Sequence, residues 1–283
     1  MRGAANGRRR YGRAFLSLFR IKAAEGLQYR VAALAGAATS VFWCLIEITV
    51  YTVFFTYGSR AALPETAGGM TLPQMVTYAW LAQLLFLMQP MSIDGDIQRK
   101  IESGDVGIEL CRPLPLYLHW LAKSAAARLT PLIWRGSAVL LAGLLMPAAY
   151  RLGPPASLTG FLCALLSAGS AFLLCSAFAG LIAAVRLNVT WGNGPTFTLM
   201  LLSSVLSGAY LPLQLWPDFL QSFLLFQPFA GYLDIPLRLY LGAMAPAALP
   251  GALLLQLAWT AAFLAGGWLL TEKRLRNIVV QGG

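Results

Sequence analysis

The run "IDGDIQRKIESGDVGIELCRPLPLY" at 93–117 gathers eight charges between Asp94 and Arg112, a quarter of all the chain has, although only 11% of its residues are charged. Ile93, Ile97 and Ile101 recur every fourth residue, so a helix here carries an apolar stripe, with Asp96, Gln98, Arg99, Lys100 and Glu102 on its other faces. Ser103, Gly104 and Asp105 predict a turn, followed by an extended segment that Arg112, Pro113 and Pro115 close before the next helix. The chemistry these side chains suit is recognition. Five acids and three bases are a poor anchor for an anionic leaflet, where bases alone would help. Mixed signs instead set register and choice of a protein partner. The competing reading is a solvated loop whose isoleucine stripe rests on lipid.

Two more charges interrupt long apolar runs. Glu47 shares a helical face with Trp43, Val50 and Phe54, and Arg135 stands alone further along. A charge in hydrocarbon is costly enough that a functional role or a pairing partner is the default expectation. The two fall at different depths, Glu47 nearer the outer half and Arg135 nearer the inner half, which argues against a direct bridge. Two readings of Glu47 stay open: it faces a translocation route for a cationic or amphipathic molecule, or it is protonated and hydrogen-bonded to a Thr or Ser of a neighbouring helix. Arg135 belongs to an inner gate or to a helix–helix contact.

Signs of catalysis are lacking in the sequence. His119 has no evident Ser, Cys or metal-ligand companion, and Cys44, Cys111, Cys163 and Cys175 lack metal-ligand spacing and read as reduced, packed thiols. No G-x-x-x-x-G-K-[ST] phosphate loop occurs. The chain is therefore expected to hold no catalytic, cofactor-binding or metal-binding set of its own.

The elements that must position these residues are set by composition. With 283 residues, 58% hydrophobic, and a mean hydropathy of +0.66, the chain is that of an all-α integral membrane protein, forming a single transmembrane domain over 1–283. A span needs about 20 apolar residues, and six segments qualify: about 31–57, 74–92, 129–149, 157–185, 195–211 and 248–270. An even number places both termini on one side. On that assignment seventeen Lys and Arg residues face the side of the termini, and only Arg60, Arg151 and Arg238 face the other. The positive-inside bias therefore makes both termini cytoplasmic, in a plasma (inner) membrane. The net charge of +10 follows this pattern, so nucleic acid is not an expected partner.

The basic N-terminus has no uninterrupted apolar core of signal-peptide length, because Arg20, Lys22 and Glu25 break it, so it is expected to be retained. Residues 10–30 predict an interfacial helix with Tyr11, Phe15, Leu18 and Phe19 on its lipid side and Arg13 and Arg20 opposite. In the fourth span Gly160, Ala164, Ser167, Ala168, Ser176 and Gly180 suit close helix packing. Between the fifth and sixth spans, residues 212–247 are too apolar for a solvated loop. Pro212, Pro217, Pro228 and Pro236, with Trp216 among them, cut this segment into pieces too short to cross, predicting re-entrant helices in the outer leaflet. A pair of amphipathic helices on the outer surface is the alternative.

The run "RKIESGDVGIELCRPLPLY" after the second span, with "SGAYLPLQLWPDFLQSFLLFQPF" after the fifth, resembles the permease subunits of type-2 ATP-binding-cassette exporters, in the branch catalogued as a permease domain of unknown function. The likeness extends over essentially the whole chain. It implies an ATP-driven exporter in which two copies of a cytosolic ATPase bind ATP and Mg, while this chain and a second permease, identical or homologous, form the path for an amphipathic small molecule, lipid or peptide. It also implies that 93–117 is the coupling element docked on the ATPase, through Asp94, Arg99, Lys100, Glu102, Gly104, Asp105, Glu109, Arg112 and Pro113. An ion-coupled secondary transporter working through Glu47 and Arg135, and a membrane sensor or assembly protein that only binds a cytosolic partner, are the alternatives from other classes. The absence of matching Gly- or Pro-broken spans in two halves weighs against the first of these.

Overall fold

The computed structural model describes residues 12–14, 16–21, 24, 30–58, 69–91, 93–111, 114–187 and 194–276, and no strand occurs among them. The described residues between 12 and 24 are helical. Among the described residues ten further α-helices follow: α1 (Arg30–Gly58), α2 (Leu72–Phe86), α3 (Gly95–Ser103), α4 (Val106–Leu110), α5 (Leu116–Leu145), α6 (Leu158–Arg186), α7 (Gly194–Leu206), α8 (Asp218–Phe226), α9 (Asp234–Leu241) and α10 (Leu249–Leu275). Short 3-10 turns at Leu213–Leu215, Pro228–Tyr232 and Pro246–Ala248 join the last ones.

Among the described residues three stretches are long and apolar enough to cross a membrane, Leu34–Tyr57, Leu158–Arg186 and Pro246–Leu275, with Gly194–Leu206 a shorter apolar helix. The other two expected spans are built differently. Helix α2 has only 15 residues, too few to cross alone, and its run from Met75 to Ala82 is buried on all sides. Helix α5 starts at Leu116 rather than near 129, because Pro115 serves as its N-cap and fixes the backbone at the helix start instead of holding it off. Its first half carries buried His119, Lys123 and Arg128, so hydropathy alone conceals the length of the helix. The fifth apolar stretch ends at Leu206 and not 211, and the last helix runs on to Leu275.

Helix α6 is the axis of the bundle, packed on α5, α9 and α10. Its small residues allow close approach: a Cβ on Gly160 would lie 2.8 Å from the Leu239 carbonyl of α9. A Cβ on Gly180 would lie 3.1 Å, and one on Gly267 of α10 2.6 Å, from the Tyr117 hydroxyl of α5. The α2–α5 contact works the same way, since a Cβ on Gly143 would meet Trp80 at 2.9 Å, and the Trp80 indole donates to the Tyr150 carbonyl at 2.7 Å. One glutamine ties three elements: Gln256 of α10, fully buried, donates to the Gly231 carbonyl at 2.8 Å and the Ser167 carbonyl at 3.1 Å.

The segment after α7 is a chain of short helices, none long enough to cross. Its prolines initiate them: Pro212 and Pro217 are N-caps, and Pro228 opens a 3-10 turn. Two glutamines satisfy carbonyls freed between the pieces, Gln221 donating to Leu213 and Trp216, and Gln227 to Leu206. The two halves differ. Helix α9 buries Ile235, Leu237, Leu239 and Leu241, whereas α8 leaves Phe219, Phe223 and Phe226 exposed.

Candidate functional site

The charged island folds as two short helices, α3 and α4, joined through Gly104 and Asp105. Asp94 is the N-cap of α3, its carboxylate accepting from the backbone of Asp96 at 3.1 Å and Ile97 at 3.4 Å. Gly104 ends the helix at φ +79°, a left-handed conformation that L-residues with a Cβ adopt at a cost of about 1 kcal/mol or more. The stretch after the turn is helical, as α4, and not extended as the sequence suggested: Val106 folds inward to join the cluster of Ile97 and Ile101, and apolar burial favours the helical turn that puts it there. Nor does the isoleucine stripe rest on lipid. Ile97 and Ile101 are buried against Leu116 and Trp120 of α5 and Ala183 and Leu187 at the end of α6.

A buried ionic knot fastens the element from the inside. The Glu109 side chain is 1% exposed. It accepts from Lys100 Nζ at 2.5 Å, Lys123 Nζ at 3.0 Å and Trp120 Nε1 at 2.6 Å, and its Oε1 lies 3.2 Å from His119 Nε2. Lys100 and Lys123 also reach Asp96 Oδ2, at 3.1 and 2.5 Å. Burial alone would raise the Glu109 carboxyl, but hydrogen bonds from His119, Lys100, Trp120 and Lys123 outweigh it and hold the group far below the usual carboxylate range. Asp96 is lowered for a like reason, the two lysines overcoming its partial burial, and Lys100 is raised because Glu109 and Asp96 outweigh its own. At the far edge Arg186 of α6 meets Glu102 at 3.3 Å.

The nine expected contact residues therefore divide. Arg99, Glu102, Gly104 and Asp105 are exposed together, beside the exposed apolar side chains of Ile108 and Leu110. Glu109 is buried and Lys100 half-buried, and both are bound within the knot. Asp94 caps α3, and Arg112 and Pro113 lie outside the described residues. Sequence reasoning missed Lys123, His119 and Trp120. Their spacing of three and four residues at the start of α5 puts them on one helical face, a signal masked by treating this stretch as a loop. His119 lacks a catalytic companion but is not alone, since it touches Glu109.

Glu47 and Arg135 do not meet. Glu47 accepts from Gln83 Nε2 of α2 at 3.1 Å, an amide in place of the hydroxyl foreseen. Arg135 donates to Ser40 Oγ of α1 through Nε at 3.0 Å and Nη2 at 2.6 Å, and its guanidinium lies across Gly36. Trp43 and Phe54 are exposed on the outside of α1. Of the four thiols, Cys44 and Cys175 are buried and Cys163 half-buried, but Cys111 is exposed, against the expectation of four packed thiols, because α4 turns its C-terminal end outward. Among the described residues no group of His, Cys, Asp and Glu could hold a metal ion.

The profile of the family described as "ABC-2 family transporter protein" matches residues 41–277, which include the ionic knot, Glu47 and Arg135. No curated protein and no solved structure is matched by the chain.

Proposed function

Because the chain belongs to the ABC-2 transporter family, as a membrane component without a catalytic site of its own, we propose that it is the permease of an ATP-driven exporter. It spans the plasma membrane six times with both termini inside, the second crossing made by α2 together with the turns over 87–89 that continue it, α3 and α4 lie at the cytosolic face, and the helices of 212–247 re-enter the outer leaflet. A separate ATPase, in two copies, binds ATP and Mg and docks on α3–α4. A second permease, identical or homologous, completes the path, and the cargo is an amphipathic molecule moved outward.

The observation that carries this reading is the two-sided construction of the island. One side, with Arg99, Glu102 and Asp105 exposed, offers mixed charge around the apolar Ile108 and Leu110, the composition of a specific protein contact. The other is joined by Glu109, Lys100 and Lys123 to a 30-residue helix. A push on the exposed side thus moves α5 as a unit, and ATP-driven closure of the two ATPases would be felt at the first, second and fifth spans. The test is purification of the permease with its candidate ATPase. R99E, D105R and I108D together should abolish co-purification and nucleotide-dependent export while the permease itself remains folded. Retention of the ATPase by the triple variant would sink the docking assignment, and flux that persists with no ATPase present would favour an ion-coupled transporter.

A further inference from the structure

A cavity of about 450 Å³ lies between the end of α2, the strap leading to α3 and the middle of α5. Its walls are apolar, with Phe86, Leu87, Met91 and Pro131, yet it holds two arginines, Arg128 and Arg135. Seven residues apart on one helix, they lie on the same face, two turns or about 10 Å from each other. Arg128 is 7% exposed. Its Nη1 donates to the Ser124 carbonyl, and its Nε has no partner. Arg135 donates only to the neutral Ser40 hydroxyl. Among the described residues no carboxylate forms an ion pair with either guanidinium. Asp94 also lines the cavity and acts through its charge on Arg128, and one carboxylate against two guanidinium groups leaves the lining an excess of one positive charge. Gln89 completes the lining: its amide nitrogen donates to Ser207 at 2.8 Å, leaving a buried Oε1 without a donor.

One buried and one half-buried cation with one local carboxylate, an unused guanidinium N–H on the buried one and a partly apolar wall make an incomplete arrangement, because a charge held away from water is stable only when paired and hydrogen-bonded. We infer that this cavity binds the anionic head, phosphoryl or carboxylate, of an amphiphile, with Arg128 and Arg135 on its oxygens and the tail along Phe86, Met91 and Pro131. The planar guanidinium suits both oxyanions. The head belongs to a resident membrane lipid or to a transported amphiphile. This reading deepens the permease assignment and rests on it only for the source of the ligand.

The experiment is equilibrium dialysis of radiolabelled dodecyl phosphate against the full-length protein in nanodiscs of phosphatidylcholine, without ATP or ATPase. Dodecyl phosphate should bind saturably, dodecyltrimethylammonium, with the same tail, should not, and inorganic phosphate should compete far more weakly. R135Q and R128Q should each weaken binding by about tenfold or more, the loss of one charged hydrogen bond, whereas R135K and R128K should keep much of it. Using both positions guards against misfolding of the Arg128 variant, whose side chain also braces α5. Phosphatidylglycerol added to the nanodiscs identifies a lipid as the ligand if it displaces dodecyl phosphate and a mobile amphiphile if it does not. Equal binding of the cationic probe, full affinity in both glutamine variants, or inorganic phosphate competing as well as the alkyl ester would each overturn the inference. Failure of the ATPase to associate would leave this result standing, since no partner enters the assay.

Discussion

Glu109, itself buried, receives hydrogen bonds or close contacts from four side chains, two of them lysines. Removing a single partner there strands the others, which is why a buried pair is costly to break even where its net contribution is small. E109A should therefore destabilise the purified protein by about 3 kcal/mol or more, read as a lowered midpoint in thermal unfolding, and E109Q by less. The pH dependence has a definite sign. A carboxyl lowered on folding lends stability above its unfolded pKa of about 4.3, and that stability fades as pH falls toward the folded value. The gap in unfolding midpoint between wild type and E109Q should thus narrow as the pH falls below about 4.3. A gap that widens on acidification would contradict the ionised state. None of this is visible in the spacing of 93–117, because the lysine that completes the knot, Lys123, is fourteen residues away on another helix.

At the scale of elements the bundle is held by small residues and a few amide bridges. Helix α10 meets α6 and the Pro228–Tyr232 turn through Gln256, whose amide nitrogen is shared by the Gly231 and Ser167 carbonyls and the Ser167 hydroxyl. Q256L keeps the volume but strips the donor, leaving buried acceptors unpaired at about 1–3 kcal/mol. It should raise hydrogen exchange over 228–232 before it affects α1 or α2, while an even rise across the whole bundle would show that the bridge is not local. The periodicity of α3 and the small face of α6 could be read along the chain, since both follow from spacing. The helical form of α4 could not. It depends on Val106 reaching the Ile97–Trp120 cluster, and a five-residue segment has too little local helical preference to declare itself.

For the molecule as a whole, orientation is the claim on which the rest depends, and the chain supplies its own reporter. Cys111 is the exposed thiol at the end of α4, beside the proposed docking face, whereas Cys44 and Cys175 are buried. In a C163S background, which removes the half-buried fourth thiol, a membrane-impermeant maleimide should label inverted membrane vesicles and leave intact cells unlabelled. Labelling of intact cells would place α3–α4 outside and reverse the topology. The excess of Lys and Arg on one set of loops predicts the first result.

The sequence by itself determined that the protein is helical and membrane-embedded, and that its charges concentrate in one amphipathic element. These follow from composition and from periods of three to seven residues, which need no knowledge of neighbours. Tertiary structure alone decided what each charge meets. It turned Lys100 and Glu109 inward, separated Glu47 from Arg135 by giving each a neutral partner on an adjacent helix, and brought Arg128 and Arg135 to one cavity. The physical reason is that the cost of a charge in a poorly hydrated site depends on its immediate partners. Those partners are assembled from residues tens of positions apart.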